Sequence, residues 1–102
     1  MTKRRYYVCD GAKTTADGVV KASSAFSSLN GRPLAREGDP VECPACGQQG
    51  VIECAGPRLS DLSEGKECAL SDDLCRCACS PPPTLVADQF DDFQVVADSS
   101  AA

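Results

Sequence analysis

Two clusters of cysteines are the residues of this chain best suited to chemistry. Cys43 and Cys46 form a Cys-x-x-Cys knuckle, and the second cluster follows about thirty residues later with Cys75, Cys77 and Cys79. Two thiolates at the knuckle spacing can chelate one tetrahedral zinc, because the turn directs both sulfurs to one side. In an extended segment alternate residues face the same side, so the second cluster can present its sulfurs together as well. The two clusters predict a metal site.

We predict that the metal ligands are Cys43, Cys46, Cys77 and Cys79, with Cys9 and Cys75 as alternates. When two internal copies of the sequence are aligned, Cys77 takes the place of Cys43. These two residues should therefore lie at equivalent positions in the two copies when the copies pack on each other. The chain has no histidine, so zinc must be held by thiolates alone or by thiolates with carboxylate or water. We expect one Zn²⁺ per chain. The alternative for the same cysteines is a redox knuckle or a set of disulfides.

Four further residues near these clusters have simpler interpretations. Cys54 and Cys68 lie in predicted strands, where cysteine most often is a buried, inert thiol, and a bridge between them is the alternative. Asp72 and Asp73 could in principle ligate a metal, but turn formation explains this pair better.

The start of the chain sets our expectation for the compartment. Its first residues are basic, but no apolar run of signal-peptide length follows them, and no transmembrane stretch is present. We therefore expect the chain to fold in the cytoplasm, where thiols stay reduced and clustered cysteines hold metal more often than they form disulfides.

The composition argues against catalysis and against nucleic-acid binding. Without histidine there is no Ser-His or Cys-His pair, and no glycine-rich phosphate loop occurs, so we expect a protein that is not an enzyme. The net charge is −5, and no lysine or arginine occurs from Cys77 to Ala102. A basic stripe for phosphate contacts is missing, so we expect no nucleic-acid partner.

The elements that must position the cysteines are short strands in two similar copies. The segment beginning at Gly18-Val19-Val20 resembles the one beginning at Gly50-Val51-Ile52, and each copy leads into one cysteine cluster. Leu29-Asn30-Gly31-Arg32 predicts a hairpin, because Asn-Gly readily adopts two successive positive φ angles. Copies this short cannot bury their own apolar faces and must pack on one another. We predict an all-β fold, a small pointed structure of repeated hairpins that is stapled by metal.

The C-terminal residues are predicted to be a separate segment. We place a cone domain at residues 1–88 and an acidic tail at residues 89–102. Phe90, Phe93 and Val96 or Ala97 recur at helical spacing, which favours a short acidic amphipathic helix, with a frayed tail as the alternative.

The stretch from Gly31 to Gly47 resembles a known family, the PAAR-repeat proteins that tip the type VI secretion spike. Pro33-Leu34-Ala35-Arg36 is similar to the proline-alanine-alanine-arginine motif with one substitution, and Gly38-Asp39-Pro40-Val41-Glu42-Cys43-Pro44 is similar to the run that follows it in the family. Leu85-Val86-Ala87-Asp88-Gln89 is similar to the family's final strand, so the likeness covers about residues 5 to 89.

The resemblance implies a cone with zinc near its apex, whose base sits on a trimeric valine-glycine-repeat spike protein and sharpens it for puncturing a membrane. It implies a protein that stays in the cytoplasm until assembly and is then secreted into target cells, without stable membrane insertion. Through its tail the chain would bind an effector or chaperone. The zinc site of the family is rich in histidine, whereas this chain has no histidine. The resemblance therefore implies only where the zinc site lies, and the ligands are predicted from the cysteines of this chain. The alternative to a spike tip is a cysteine-only, zinc-ribbon-like adaptor that binds protein or nucleic acid.

Overall fold

Short strands dominate the fold. The computed structural model describes residues 2–23, 28–29, 31–56, 58–59, 61–63 and 65–97, and these residues contain no helix, hence none that could span a membrane. The strands are β1 (Thr2–Tyr6), β2 (Lys13–Thr14), β3 (Val19–Val20), β4 (Ser28–Leu29), β5 (Arg32–Pro33), β6 (Pro40–Cys43), β7 (Gln48–Glu53), β8 (Leu62–Ser63), β9 (Lys66–Glu67), β10 (Leu74–Arg76), β11 (Leu85–Val86) and β12 (Phe93–Ala97). The all-β prediction is confirmed.

The main sheet has six strands and nearly closes on itself. Its order is β10-β7-β6-β3-β2-β11, and the neighbouring strands are antiparallel. An isolated bridge between Leu74 and Thr84 joins the two ends of this order, and the amide of Cys75 donates to the carbonyl of Pro83 over 2.8 Å. These contacts between its edge strands leave the sheet with less open edge than a flat sheet of the same size would have.

In the described part of the chain, three separate two-stranded pairs, which we call arms, accompany the sheet. They are β1 with β12, β4 with β5, and β8 with β9, all antiparallel. The predicted hairpin around Gly31 is confirmed as the β4–β5 arm, and Gly31 has the positive φ of 81° that favours glycine. Asn30 lies outside the described residues.

Each arm begins a structural unit of four strands. An arm leads through a tight turn into one hairpin of the main sheet, and the units are unit 1 (β12, β1, β2, β3), unit 2 (β4, β5, β6, β7) and unit 3 (β8, β9, β10, β11). The turns span residues 9–12, 36–39 and 70–73, and each is closed by an amide-to-carbonyl bond of 3.1 Å between its last and first residues. The residues at the third position of these turns all have positive φ: Gly11, Gly38 and Asp72.

The three units are related by an approximate threefold axis, as their hydrogen bonds show. The amide of Val8 donates to Ala69, that of Ala69 to Ala35, and that of Ala35 back to Val8, over 2.8–3.1 Å. This closed cycle, which we call the central ring, contains one residue of each unit, and all three residues are fully buried. A second cycle of bonds connects each turn to the arm of another unit, from Asp10 to Pro33, from Glu37 to Glu67 and from Ser71 to Tyr6.

The molecule measures 37 × 34 × 23 Å, with two similar long dimensions and one short one. Its apolar core is thin and is made mostly of small side chains, including Val8, Ala35, Val41, Ala69 and Ile52. A core this small suits a fold in which backbone bonds between units and an added staple contribute much of the stability.

Two sequence predictions differ from the structure. Two copies were predicted, but the described residues form three units, the additional one being assembled from the first and last described strands together with β2 and β3. The helix interpretation of residues 90–97 is wrong, because Phe93–Ala97 forms β12 and pairs with β1, with Gln94 and Val96 buried in alternation. The division of the chain at residue 88 stays a prediction, and residues 98–102 lie outside the described part.

Candidate metal centre

The first two cysteines lie at the tip of the β6–β7 hairpin. Cys43 is the last residue of β6 and is paired with Gln48, the first residue of β7, and a turn over residues 44–47 connects them. Gly47 closes this turn with a φ of 69°. The strand β6 runs from the turn at residues 36–39 to the hairpin tip, so the knuckle lies at the end of the main sheet that is remote from the central ring.

The other two cysteines follow β10, the neighbour of β7. The strand ends at Arg76, and Cys77 and Cys79 lie in the bend that comes next. The two segments approach closely at Gly50, where a Cβ would lie only 2.7 Å from the carbonyl oxygen of Arg76 and 3.0 Å from the Cβ of Cys77. Glycine at this position therefore permits the contact that brings the second cluster to the first.

The structure brings the sulfurs of Cys43, Cys46, Cys77 and Cys79 together. All four Sγ atoms lie within 4.8 Å of one another, and those of Cys43 and Cys79 are 3.6 Å apart. A zinc ion with four bonds of about 2.3 Å in tetrahedral geometry needs its sulfurs about 3.8 Å apart. The four thiols thus fit a single tetrahedral metal ion, and that they bind one is our proposal.

Hydrogen bonds in the cluster favour deprotonation of one thiol. Burial acts to raise the pKa of Cys46, but backbone hydrogen bonds at Ala78 and Gln48 and side-chain hydrogen bonds with Cys43 and Cys77 outweigh it, and the pKa falls from 9.0 to about 6. Hydrogen bonds with Cys43 and Cys77 raise the pKa of Cys79 to about 12. A metal ion that bound these thiols would displace their protons.

The other four cysteines lie outside this group, and all eight are free thiols. Cys75 belongs to the apolar core with no exposed surface, because β10 turns this side chain inward, whereas Cys77 follows the end of the strand. Cys9 is buried beside the central ring. Burial raises the pKa of Cys54 to about 12 and that of Cys68 to about 11, as expected for unreactive thiols.

Asp72 and Asp73 take part in a turn, as predicted, and Asp73 has a further role that the sequence did not reveal. Its carboxylate is fully buried and accepts hydrogen bonds from the guanidinium groups of Arg5 and Arg58 and from the amides of Ala55 and Leu70. The sequence offered one indication that this position differs, because Asp72-Asp73 stands where the first copy has Gly38-Asp39.

A family model for the PAAR motif matches residues 10–80, which include most of the main sheet and all four cysteines of the cluster. No match was found among curated proteins or among solved structures.

Proposed function

Because the chain belongs to the PAAR-motif family, we propose that one copy of it caps the end of the trimeric valine-glycine-repeat spike of a type VI secretion system and holds one zinc ion at its tip. PAAR-motif proteins are generally associated with the type VI spike tip. The family is structural rather than enzymatic, and we propose no catalytic activity for this chain.

The observation that carries this proposal is the threefold arrangement of a single chain. The central ring joins one residue from each unit by equivalent backbone bonds, so the molecule offers nearly the same backbone three times around one axis. A homotrimer with closed symmetry presents the same surface three times around its own axis. One chain can therefore contact all three protomers in equivalent ways, and it would cover the strand edges at the end of a trimeric β-structure.

Zinc at the cysteine cluster would serve this function as a staple. The four thiols come from the hairpin tip of unit 2 and from the bend in unit 3, so a bound ion would connect two units at the end remote from the central ring. The core is made mostly of small side chains, and metal binding to thiolates is coupled to folding in small domains. We propose that the metal keeps the tip closed and stiff as the spike advances.

The proposed function implies where the protein is made, where it assembles and how it leaves the cell. It would be made in the cytoplasm, assemble on the spike and leave the cell with it, and an effector or chaperone would attach through the tail. Of residues 89–102, the segment Phe93–Ala97 is paired with β1, so we assign any such attachment to residues beyond Ala97.

The zinc-ribbon-like adaptor is less well supported than the spike tip. A ribbon needs only its two cysteine knuckles and their hairpins, whereas here the backbone bonds of the central ring tie units 2 and 3 to Val8. Deletion of residues 5–35 would leave a ribbon folded but should unfold a structure built on the ring.

The proposed function is tested by mixing the purified chain with its cognate spike trimer and separating the mixture by size-exclusion chromatography. We expect the chain to elute with the trimer at one chain per trimer. Separate elution at micromolar concentrations of both proteins would contradict the proposed function.

A further inference from the structure

The cysteine cluster offers a metal ion sulfur ligands only. The chain has no histidine, and the Sγ atoms of Cys43, Cys46, Cys77 and Cys79 lie within 4.8 Å of one another. Thiol–disulfide exchange consumes thiolates and leaves imidazole and carboxylate groups unchanged. A site with mixed ligands therefore keeps part of its ligand set under oxidising conditions, whereas every ligand of this site can react.

Two of the four sulfurs contact each other across the boundary between units. The Sγ atoms of Cys43 and Cys79 are 3.6 Å apart. The thiol of Cys46 donates to the backbone carbonyl of Cys43 over 3.9 Å, and the Sγ of Cys77 accepts from the backbone amide of Cys79 over 3.5 Å. The geometry therefore favours a bond between Cys43 and Cys79 over a bond within the Cys-x-x-Cys knuckle.

The two residues of this pair differ in their access to solvent. Cys79 is partly exposed in the bend that follows β10, whereas Cys43 is 3% exposed. A reagent in solution therefore reaches Cys79 first, and the sulfur of Cys43 lies next to it. Cys75 has no exposed surface and belongs to the apolar core, so it is shielded from the same reagent. The cluster thus contains one accessible sulfur and one neighbouring sulfur that can react with it.

We propose that Cys43 and Cys79 exchange the metal for a disulfide bond when the zinc-loaded protein meets a low-molecular-weight disulfide. The Sγ of Cys79 attacks one sulfur of the reagent, whose S–S bond breaks and releases one thiolate. The Sγ of Cys43 then attacks the sulfur of Cys79, and the second thiolate of the reagent leaves. The cysteine pair loses two electrons, and the reagent gains them and takes up protons from solvent to become two thiols. Two ligands remain of the four that a structural zinc site needs, so the chain releases Zn²⁺ to solvent.

The exchange preserves the connection between two units. Cys43 belongs to unit 2 and Cys79 follows β10 of unit 3, so the disulfide joins the same units that the metal joined. The inference rests on the proposed function, whose path leads out of the cytoplasm into surroundings where disulfides form and persist. A bond between residues 36 positions apart also restricts the unfolded chain, so the oxidised protein keeps part of the stability that the metal supplied.

Oxidation of the zinc-loaded full chain with oxidised glutathione tests the exchange. We expect one Zn²⁺ to be released, measured with a chromogenic chelator, for each Cys43–Cys79 linkage found by peptide mapping. The oxidised chain should melt above the reduced metal-free chain, and below the zinc-loaded chain because one bond replaces four. A linkage mainly between Cys43 and Cys46, retention of zinc in excess reagent, or melting no higher than that of the reduced metal-free chain would each overturn the inference.

A pair of matched variants tests which sulfurs react. Cys46→Ser and Cys79→Ser each remove one thiol of the cluster, but only the first keeps the pair that we propose. In the metal-free state with oxidised glutathione, we expect Cys46→Ser to form the Cys43–Cys79 linkage and Cys79→Ser to form an intramolecular disulfide about tenfold more slowly or worse. Equal rates would overturn the inference. Cys54→Ser, which changes a partly exposed thiol outside the cluster, should release zinc as the original chain does. Should a variant fail to fold, peptide mapping of the original chain decides.

The inference and the proposed function fail in different experiments. A chain that elutes with the spike trimer and holds one zinc ion, but does not exchange it, would overturn the inference and keep the proposed function. A chain that exchanges zinc for the Cys43–Cys79 linkage, but elutes apart from the trimer, would contradict the proposed function alone.

Discussion

The Sγ atoms of Cys43 and Cys79 lie 3.6 Å apart, although the residues are separated by 36 positions in the sequence and belong to different structural units. Cys43 ends the first strand of a hairpin in unit 2, and Cys79 follows the corresponding strand of unit 3. The separation is close to what two ligands of one tetrahedral metal ion require. Their proximity makes the cluster a connection between units and not a local feature of one loop.

Substitution of one proposed ligand should remove the metal. Cys43→Ser replaces a thiolate ligand by a weakly binding hydroxyl. Loss of a hydrogen bond to a metal ligand already lowers metal affinity roughly 10–100-fold, so we expect loss of the ligand itself to lower it further. Zinc per chain, measured by elemental analysis, should drop from about one toward zero, with a lower melting temperature. Cys68→Ser is the matched control, because this thiol lies outside the cluster, and it should retain zinc. Equal zinc in the two variants would show that Cys43 is not a ligand.

Addition of one methyl group at Gly50 should disturb the cluster through the backbone. A Cβ there would lie 2.9 Å from the Sγ of Cys75 as well as close to Arg76, so Gly50→Ala should lower the free energy of unfolding by about 1–3 kcal/mol and weaken metal binding. Gly65→Ala is the control, because its φ is 80° and no atom lies within 4 Å of the added group. It should cost about 1 kcal/mol through conformation alone and leave metal binding unchanged. Denaturation and metal titration of both variants give the comparison, and unaltered metal affinity in Gly50→Ala would contradict the expected coupling.

Loss of the buried carboxylate of Asp73 should destabilise the fold strongly. Asp73→Ala would remove the carboxylate that lies 2.7 Å from the guanidinium of Arg5, which is 1% exposed, and removal of one member of a buried ion pair costs about 3–5 kcal/mol. Asp39, its equivalent in unit 2, lies 3.8 Å from the guanidinium of Arg36 and is slightly exposed, so Asp39→Ala should cost less. Urea denaturation of the two variants measures the difference. A smaller effect at Asp73 than at Asp39 would mean that the Arg5 contact contributes little to stability.

Alkaline pH should destabilise the protein through Tyr7. Burial, together with the hydrogen bond to Asp61, raises the pKa of Tyr7 from 10.0 to about 12. Because the folded state holds this proton more tightly than the unfolded state, its contribution to stability is complete below about pH 10 and is lost as pH rises toward 12. Between these values the melting temperature of Tyr7→Phe should fall less steeply than that of the original chain. Parallel curves would show that Tyr7 does not titrate differently in the two states.

Much of the fold followed from local patterns in the sequence. The Asn-Gly turn dipeptide, the short β-branched runs and the similarity of two segments predicted an all-β molecule of repeated hairpins. Unit 1 was missed as a repeat because its arm comes from opposite ends of the described chain and shares no sequence motif with the other arms. The signal that could have found it is Asp10-Gly11, which precedes the strand β2 much as Glu37-Gly38 precedes β6.

The errors in the prediction have physical reasons. Phe90, Phe93 and Val96 fit a helical period, yet Gln94 and Val96 also alternate, and pairing with β1 decided in favour of a strand. Strand alternation suggested that Cys75 could join the other sulfurs, but Cys75 lies in the core with no exposed surface, whereas β10 ends at Arg76 and the partly exposed Cys77 and Cys79 lie in the bend that follows. Competition between periods and the exact end of a strand depend on tertiary contacts, which the sequence does not display locally.

The most direct test of the account is native mass spectrometry of the chain bound to its spike trimer, with the mass resolved well enough to count metal ions. We predict one dominant species that contains three spike protomers, one copy of this chain and one zinc ion. A dominant species with three copies of this chain on the trimer, or with one copy that lacks metal and is equally stable, would contradict the account.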